Sequence, residues 1–268
     1  MPELPEVETT VRGLETVLKG RRLTRVEPRR PDLRRPIPDD LGQRLTGARI
    51  TELGRRAKYG LIGTDRGDTL VFHLGMSGHW RIDPAELDKH DHLLLETEDD
   101  RRLTLNDVRR FGTLDLVPTA GLAGWPAFRA LGPEPFGLDP KWFREVFKGR
   151  SAPIKVLLLD QRIVAGIGNI YACEALFHAG IHPARAAGSL SLARLARLAA
   201  AIGKVLDEAI AAGGSSLRDF ASPDGTLGYF SKSFAVYDRE GEACGGGGTV
   251  RRIVQGGRST FYCPKCQH

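Results

Sequence analysis

The hydrophobic positions change their period along the chain. From Glu3 to Leu18 they follow a helix, with Val7, Val11, Leu14 and Leu18 on one face and Gly20 as the stop. Between residues 23 and 117 the pattern shortens to strand-length runs, among them Tyr59 to Thr64, Thr69 to Leu74, His92 to Thr97, Arg102 to Leu105 and Thr113 to Val117. Asp65-Arg66-Gly67-Asp68 and Glu98-Asp99-Asp100 read as hairpin turns. Many short strands with regular turns predict a sandwich or barrel. Residues 118–138 are rich in Pro and Gly and mark a boundary.

Helical spacing then returns. Asp139 is an N-cap before Pro140, and Trp142, Phe143, Val146 and Phe147 follow at helical intervals. Pro153 to Leu159 makes a second helix. Asn169 is expected to cap a third that ends at Gly180. Ser191 caps a long one whose inner face is Leu192, Leu195, Ala199, Ile202, Leu206 and Ala209, ending at Gly213-Gly214. Residues 215–233 form a Ser/Gly/Asp-rich loop, and Phe234 to Cys266 a small β-hairpin.

Composition narrows the class. The chain has 268 residues, 41% hydrophobic and 27% charged, and a net charge of +6 from 39 basic and 33 acidic side chains. An isoelectric point near 9.3 suggests a polyanionic partner. Basic pairs recur at Arg21-Arg22, Arg29-Arg30, Arg34-Arg35, Arg55-Arg56, Arg101-Arg102, Arg109-Arg110 and Arg251-Arg252, and most such pairs are solvated surface. No apolar run approaches a membrane span, and the acidic start lacks a secretory signal pattern. The four cysteines, one of them alone at Cys173, do not make a disulfide framework and suit a reducing cytoplasm.

Several segments carry candidate chemistry. Proline at position 2 favours removal of Met1, which would leave a secondary α-amine whose reference pKa is about 7.7–8.0. Such an amine is a nucleophile toward an aldehyde-like carbon, and Glu3 and Glu6 beside it could shuttle protons. Read alone, these residues fit an ordinary helix start as well. Gly166-Ile167-Gly168-Asn169 is either a phosphate-binding helix N-terminus or a tight turn. Met76, in a glycine-flanked turn, should be exposed. With Arg109 and Phe111 on a second turn, it has the chemistry of a wedge for a disrupted duplex. Cys263-Pro264-Lys265-Cys266 is half of a zinc site; Cys244 adds one thiol upstream, and Gly247 stands where a fourth would be.

The ordered blocks MPELPEVET, RRAKYG, HLGMSG, KHDH, RRFG, LGPEP, GIGNIYACEALF, GIHP, GYF and GRSTFYCPKCQ resemble bacterial formamidopyrimidine-DNA glycosylases over essentially the whole chain. The resemblance implies an α+β, multidomain fold. Its parts are an N-terminal β-sandwich with a proline-bearing helix (1–120), a linker (121–138), a helix-two-turn-helix domain with a lesion-capping loop (139–233) and a zinc-finger hairpin (234–268). It implies excision of oxidised purines from double-stranded DNA and cleavage of the abasic strand by β,δ-elimination. Pro2 would be the Schiff-base nucleophile, Glu3 the acid/base, Lys58 and Arg258 the phosphate contacts that assist elimination, and Glu6 a support for the nucleophile. His90, Arg109, Arg150 and Asn169 would contact DNA, Met76, Arg109 and Phe111 would fill the void, and Tyr229 would belong to the loop over the flipped base.

One structural zinc is expected on Cys244, Cys263 and Cys266, with water or His268 as fourth ligand, and no organic cofactor. A monomer working in the bacterial cytoplasm is expected. Two alternatives remain: an oxidised-pyrimidine glycosylase, a branch that begins Met-Pro-Glu-Gly-Pro and that Leu4 and the Met76/Arg109/Phe111 trio argue against, and a non-catalytic damaged-DNA binder.

Overall fold

The structure, a computed structural model, describes residues 2–215 and 228–268. The chain divides into two compact units, Met1–Arg129 with Ile210–Ser231, and Ala130–Ala209 with Lys232–His268.

The first unit opens with helix α1 (Leu4–Leu18), which has Glu3 at its N-cap and Pro5 in its first turn. Proline is tolerated there because the first amides lack intrahelical acceptors. The helix ends where the Lys19 N–H bonds back to Glu15 and Gly20 takes a φ of +77°, as the sequence predicts. Strand β1 (Leu23–Pro28) and the short helix α2 (Leu41–Leu45) follow. Seven more strands come next: β2 (Ile50–Arg56), β3 (Tyr59–Thr64), β4 (Asp68–His73), β5 (His79–Ile82), β6 (Asp91–Thr97), β7 (Arg102–Asn106) and β8 (Thr113–Pro118). The five runs named from the sequence all appear, displaced by one residue at most.

Two four-stranded antiparallel sheets result, in the orders β1-β6-β7-β5 and β2-β3-β4-β8. Their inner faces share one core. Val11, Leu14 and Leu18 of α1 join Leu93, Leu95, Leu103 and Leu105 of one sheet and Ile62, Leu70, Phe72 and Leu114 of the other. Phe72 meets Trp80 edge-on, with ring centroids 5.5 Å apart. The first unit's second small helix, α3 (Pro126–Arg129), brings Trp125 and Phe128 against Tyr59.

The second unit is helical at first: α4 (Pro140–Phe147), α5 (Ile154–Leu158), α6 (Asn169–His178) and α7 (Leu192–Ala211). Asp139 caps α4 as expected, its carboxylate accepting the Lys141 N–H at 2.8 Å. The cap of α6 differs from the sequence reading. Gly168 is the N-cap, extended at φ −126°, and Asn169 is the first helical residue. The Asn169 amide is engaged by Lys155 and Ser259 and does not bond its own helix. Strands β9 (Arg251–Gln255) and β10 (Arg258–Tyr262) form the tail hairpin. Among the described residues no helix is long and apolar enough to cross a membrane.

Leu14 is fully buried in the shared core. Leu14→Ala should lower unfolding free energy by about 2–5 kcal/mol, measured by urea denaturation.

Candidate active site and metal centre

At the start of α1, Pro2 and Glu3 are buried, and Glu6 is 1% exposed. The Glu6 carboxylate is shared between two segments. Its Oε2 accepts the Glu3 N–H at 2.8 Å, and its Oε1 accepts both the N–H and the hydroxyl of Ser215 at 2.8 Å. Gly214, with φ +82°, lets the chain pass so close that an added Cβ would lie 3.2 Å from Glu6 Oε1. The chain returns to the same place at Tyr229 and Phe230, whose N–H groups bond Ala212 and Gly214 at 3.0 and 3.1 Å. Tyr229 is 57% exposed on that neck. The intervening part of the expected lesion loop, residues 216–227, lies outside the described residues.

Lys58 sits in the two-residue turn between β2 and β3, and it is buried. Its neighbour Ala57 has a φ of +53°, a conformation that costs an alanine about 1–2 kcal/mol. A chain of contacts from α1 holds this turn: Glu8 accepts from Arg55 Nε at 3.0 Å, and Arg55 donates to the Ala57 carbonyl at 2.9 Å. The helix that carries Pro2 and Glu3 therefore also fixes the turn that carries Lys58.

Met76 is partly buried rather than exposed, because its turn packs on the 107–112 loop. An added Cβ on Gly75 would come within 2.4 Å of the Phe111 carbonyl carbon, so only glycine allows this approach. The Arg109 guanidinium lies 4.9 Å above the Phe111 ring, a cation–π contact, and Phe111 is 42% exposed. Phe111 lines a cleft of about 320 Å³ together with Arg34, Arg35, Tyr59, His73 and Thr113. His90 is partly exposed, its ring 6.3 Å from that of His92.

In the second unit, buried Lys155 donates to Asn169 Oδ1 at 2.5 Å, and Asn169 Nδ2 donates to the Ser259 carbonyl at 2.9 Å. This places Asn169 beside the tail hairpin. Glu174, 1% exposed on α6, accepts the N–H groups of Ala235, Val236 and Tyr237 at 2.8–3.0 Å. Arg258 is exposed at the hairpin tip, after Gly256 and Gly257 with φ values of +55° and +74°. That pair makes the tight turn whose twist matches its strands. Arg150 is exposed and donates its Nε to the Val146 carbonyl at 2.9 Å.

The sulfurs of Cys244, Cys263 and Cys266 lie within 4.8 Å of one another. Cys244 Sγ is 3.1 Å from Cys263 Sγ and 3.5 Å from Cys266 Sγ. A tetrahedral zinc with Zn–S bonds of about 2.3 Å needs sulfurs about 3.8 Å apart, so these three thiols need only spread slightly to hold the ion. Gly247 keeps the backbone of a ligand knuckle. Its N–H bonds the Cys244 carbonyl at 3.0 Å, as the Cys266 N–H bonds that of Cys263 at 3.1 Å. The turn is present and the thiol is not. Its φ of +75° suits glycine. Among the described residues no histidine or carboxylate joins the cluster, so His268 is not a ligand in this arrangement.

Three family models match in order: the formamidopyrimidine-DNA glycosylase N-terminal domain at residues 1–114, its H2TH domain at 131–221, and the zinc finger found in FPG and IleRS at 247–268. The formamidopyrimidine-DNA glycosylases of Novosphingobium aromaticivorans and Rhizorhabdus wittichii are 64% and 65% identical, with both chains covered completely. Lactococcus lactis Fpg, 36% identical with full coverage of both chains, superimposes with a TM-score of 0.92 in a complex with DNA containing an abasic site. Another complex of the same protein holds oxidised-pyrimidine DNA, at a TM-score of 0.91. The chain belongs to the formamidopyrimidine-DNA glycosylase family. Its architecture is the family's: β-sandwich, helix-two-turn-helix domain and C-terminal finger.

Sequence reasoning passed over Ser77, Asp107, Lys155, Glu174 and Ser215. Each is a polar residue in a run that reads as strand, helix or loop, and only burial sets it apart.

Two measurements follow from this geometry. His73 titrates well below the usual imidazole range, down to about 4, because burial disfavours its charge and Lys58, Arg34 and Arg35 repel it. Its Nδ1 accepts the Gly75 N–H at 3.0 Å, which requires the unprotonated nitrogen. In the unfolded chain it would protonate near pH 6.5. The unfolded state therefore binds the extra proton between those values, and stability declines as pH falls from about 6.5 toward 4. Urea midpoints across that window should drop less steeply in His73→Asn. The metal site makes the second prediction: elemental analysis should find one zinc per chain, and Cys263→Ser should reduce it to near zero.

Proposed function

We propose that the chain is a bifunctional DNA glycosylase and abasic-site lyase that removes 8-oxoguanine and formamidopyrimidines from duplex DNA. The observation that carries this reading is the buried helix start, where Glu3 and Glu6 are 2% and 1% exposed beside Pro2. Burying two carboxylates is costly unless donors meet them, and here backbone groups of α1 and Ser215 do so for Glu6.

With Met1 removed, the Pro2 amine attacks C1′ of the damaged nucleotide and the bond from C1′ to the base breaks. Glu3 moves the proton for ring opening and base release. The resulting iminium acidifies the adjacent carbon, so the 3′ phosphate leaves by β-elimination and the 5′ phosphate by δ-elimination. Lys58 and Arg258 hold those phosphates. The lesion must leave the stack first. Met76, Arg109 and Phe111 fill the space it vacates, with Arg109 toward the orphaned cytosine. His90, Arg150 and Asn169 face the backbone. The Tyr229 loop closes over the everted base.

Charge supports this assignment. Most arginine pairs on the first unit are matched to acids, as Arg35 is to Asp115, Arg101 to Asp83 and Arg102 to Glu96. Arg109 and Arg258 have no carboxylate partner among the described residues, which leaves them for phosphate or base. Cys244, Cys263 and Cys266 would hold a structural zinc, with water completing the shell. The ion would tie the two ends of the hairpin together and take no part in the reaction. Work on chromosomal DNA, with reduced thiols at Cys173 and in the finger, supports a cytoplasmic location.

A second reading, activity on oxidised pyrimidines, has one observation in its favour, the Lactococcus lactis complex with such DNA. Parallel excision assays on 8-oxoguanine and thymine glycol duplexes should show faster release of the purine. The main test is borohydride trapping. Met1-processed protein should cross-link to an 8-oxoguanine duplex, and Pro2→Gly should lose most of that product. No trapped complex from processed wild-type protein would refute the mechanism.

A further inference from the structure

The three proposed void-filling side chains come from two loops, and one carboxylate joins those loops. Asp107 is completely buried at the end of β7. Its Oδ1 accepts the Ser77 hydroxyl at 2.6 Å and its Oδ2 accepts the Gly112 N–H at 2.7 Å. Ser77 follows Met76, and Gly112 follows Phe111. The Ser77 oxygen in turn accepts the Arg109 N–H at 3.1 Å. The main chain of Asp107 is held as well: its N–H bonds the His90 carbonyl at 3.0 Å, and its carbonyl accepts from His92 Nε2 at 2.9 Å and from the Arg110 N–H at 3.2 Å. Met76, Arg109 and Phe111 are thus each within one residue of a group bonded to Asp107 or Ser77.

The loop between them is strained. Arg110 has a φ of +56°, which an arginine adopts only when its surroundings impose it. Asp107 bonds that residue itself, its carbonyl accepting the Arg110 N–H, and the loop beyond it, its carboxylate accepting the Gly112 N–H. The Met76 turn cannot relax away either, since Gly75 lies against the Phe111 backbone.

We propose that Asp107, acting with Ser77, is a positioning residue for lesion eversion: it locks Met76, Arg109 and Phe111 into one rigid wedge before any covalent step. This rests on the glycosylase assignment and concerns only the step that opens the duplex. A wedge that must enter a base stack has to keep its shape against stacking energy of a few kcal/mol per step. Side chains on two independently moving loops would yield instead. The consequence is a split between substrates. Loss of the lock should impair work on a lesion inside a duplex and spare chemistry on an abasic site that is already unstacked.

The experiment uses full-length protein with Ser77→Ala and Asp107→Ala. Ser77→Ala removes the bond to Arg109 and one bond to Asp107 while leaving the Gly112 bond, so it keeps the fold if Asp107→Ala does not. Single-turnover excision of 8-oxoguanine opposite cytosine should fall roughly ten- to hundredfold, the range expected when a hydrogen bond to a charged group is lost. Cleavage of a single-stranded oligonucleotide with a preformed abasic site should stay within about twofold of wild type, below the effect of one such bond. A 2-aminopurine beside the lesion should brighten more slowly in the variants. Equal losses on both substrates, or duplex excision and 2-aminopurine kinetics unchanged from wild type, would overturn the proposal. Wild-type protein inert on both substrates would overturn the glycosylase assignment itself, and this inference with it.

Discussion

Three carboxylates shielded from water hold the segments on which this protein depends. Glu6, Asp107 and Glu174 are each at most 1% exposed, and each accepts backbone N–H groups from a segment distant in sequence or across a turn. A carboxylate in such a place is stable only if donors replace its lost hydration. That requirement works in both directions. The loop that supplies the donors cannot leave without stranding a buried charge, so 215, 112 and 235–237 are pinned more firmly than apolar packing could pin them. Hydrophobic contact is tolerant of small displacements, whereas a hydrogen bond between 2.6 and 3.0 Å is not.

The sandwich supplies the ground for this. Its core is made by alternating inward residues of two sheets and one face of α1, and it fixes where β2, β4, β7 and β8 end. The ends then carry the chemistry: the Ala57–Lys58 turn after β2, the Met76 turn after β4, and the 107–112 loop between β7 and β8. Two of those ends carry a non-glycine residue at positive φ, Ala57 and Arg110, where the surrounding bonds outweigh the strain. In the second unit α6 plays the equivalent part. It anchors the tail by Glu174 at 235–237, before Cys244, and by Asn169 at Ser259, between Cys244 and Cys263. The hairpin that presents Arg258 is therefore tied to a helix by polar bonds that do not involve zinc. A three-thiol site is intelligible in that light, because the metal is one of several attachments.

Charge follows a similar division. The isoelectric point of about 9.3 reflects many arginines, yet most of those on the sandwich are paired with nearby acids and contribute little to a local field. Arg109 instead lies over the Phe111 ring, and Arg258 stands exposed at the hairpin tip. Counting basic pairs along the chain would have ranked Arg21-Arg22 and Arg101-Arg102 equally with Arg109-Arg110. Their partners, Asp99 and Asp83, are supplied by folding.

Periodicity and ordered motifs were enough to establish the elements and the family. Periodicity located α1, the helices of the second unit and the central strands to within about a residue, because burial of one face forces that repeat. Ordered motifs identified the residues with candidate chemistry, because reactive groups and tight turns need particular side chains. Tertiary structure decided which polar residues are supports. Asp107, Glu174 and Ser215 look like ordinary loop or helix residues in the chain, and their burial arises from contacts between segments up to 209 residues apart. It also decided that Asn169 begins its helix and does not cap it, and that Gly247 keeps a knuckle's turn without its ligand. Local propensity is a property of neighbours in sequence. Desolvation is a property of neighbours in space, and it is desolvation that turns a common carboxylate into a lock.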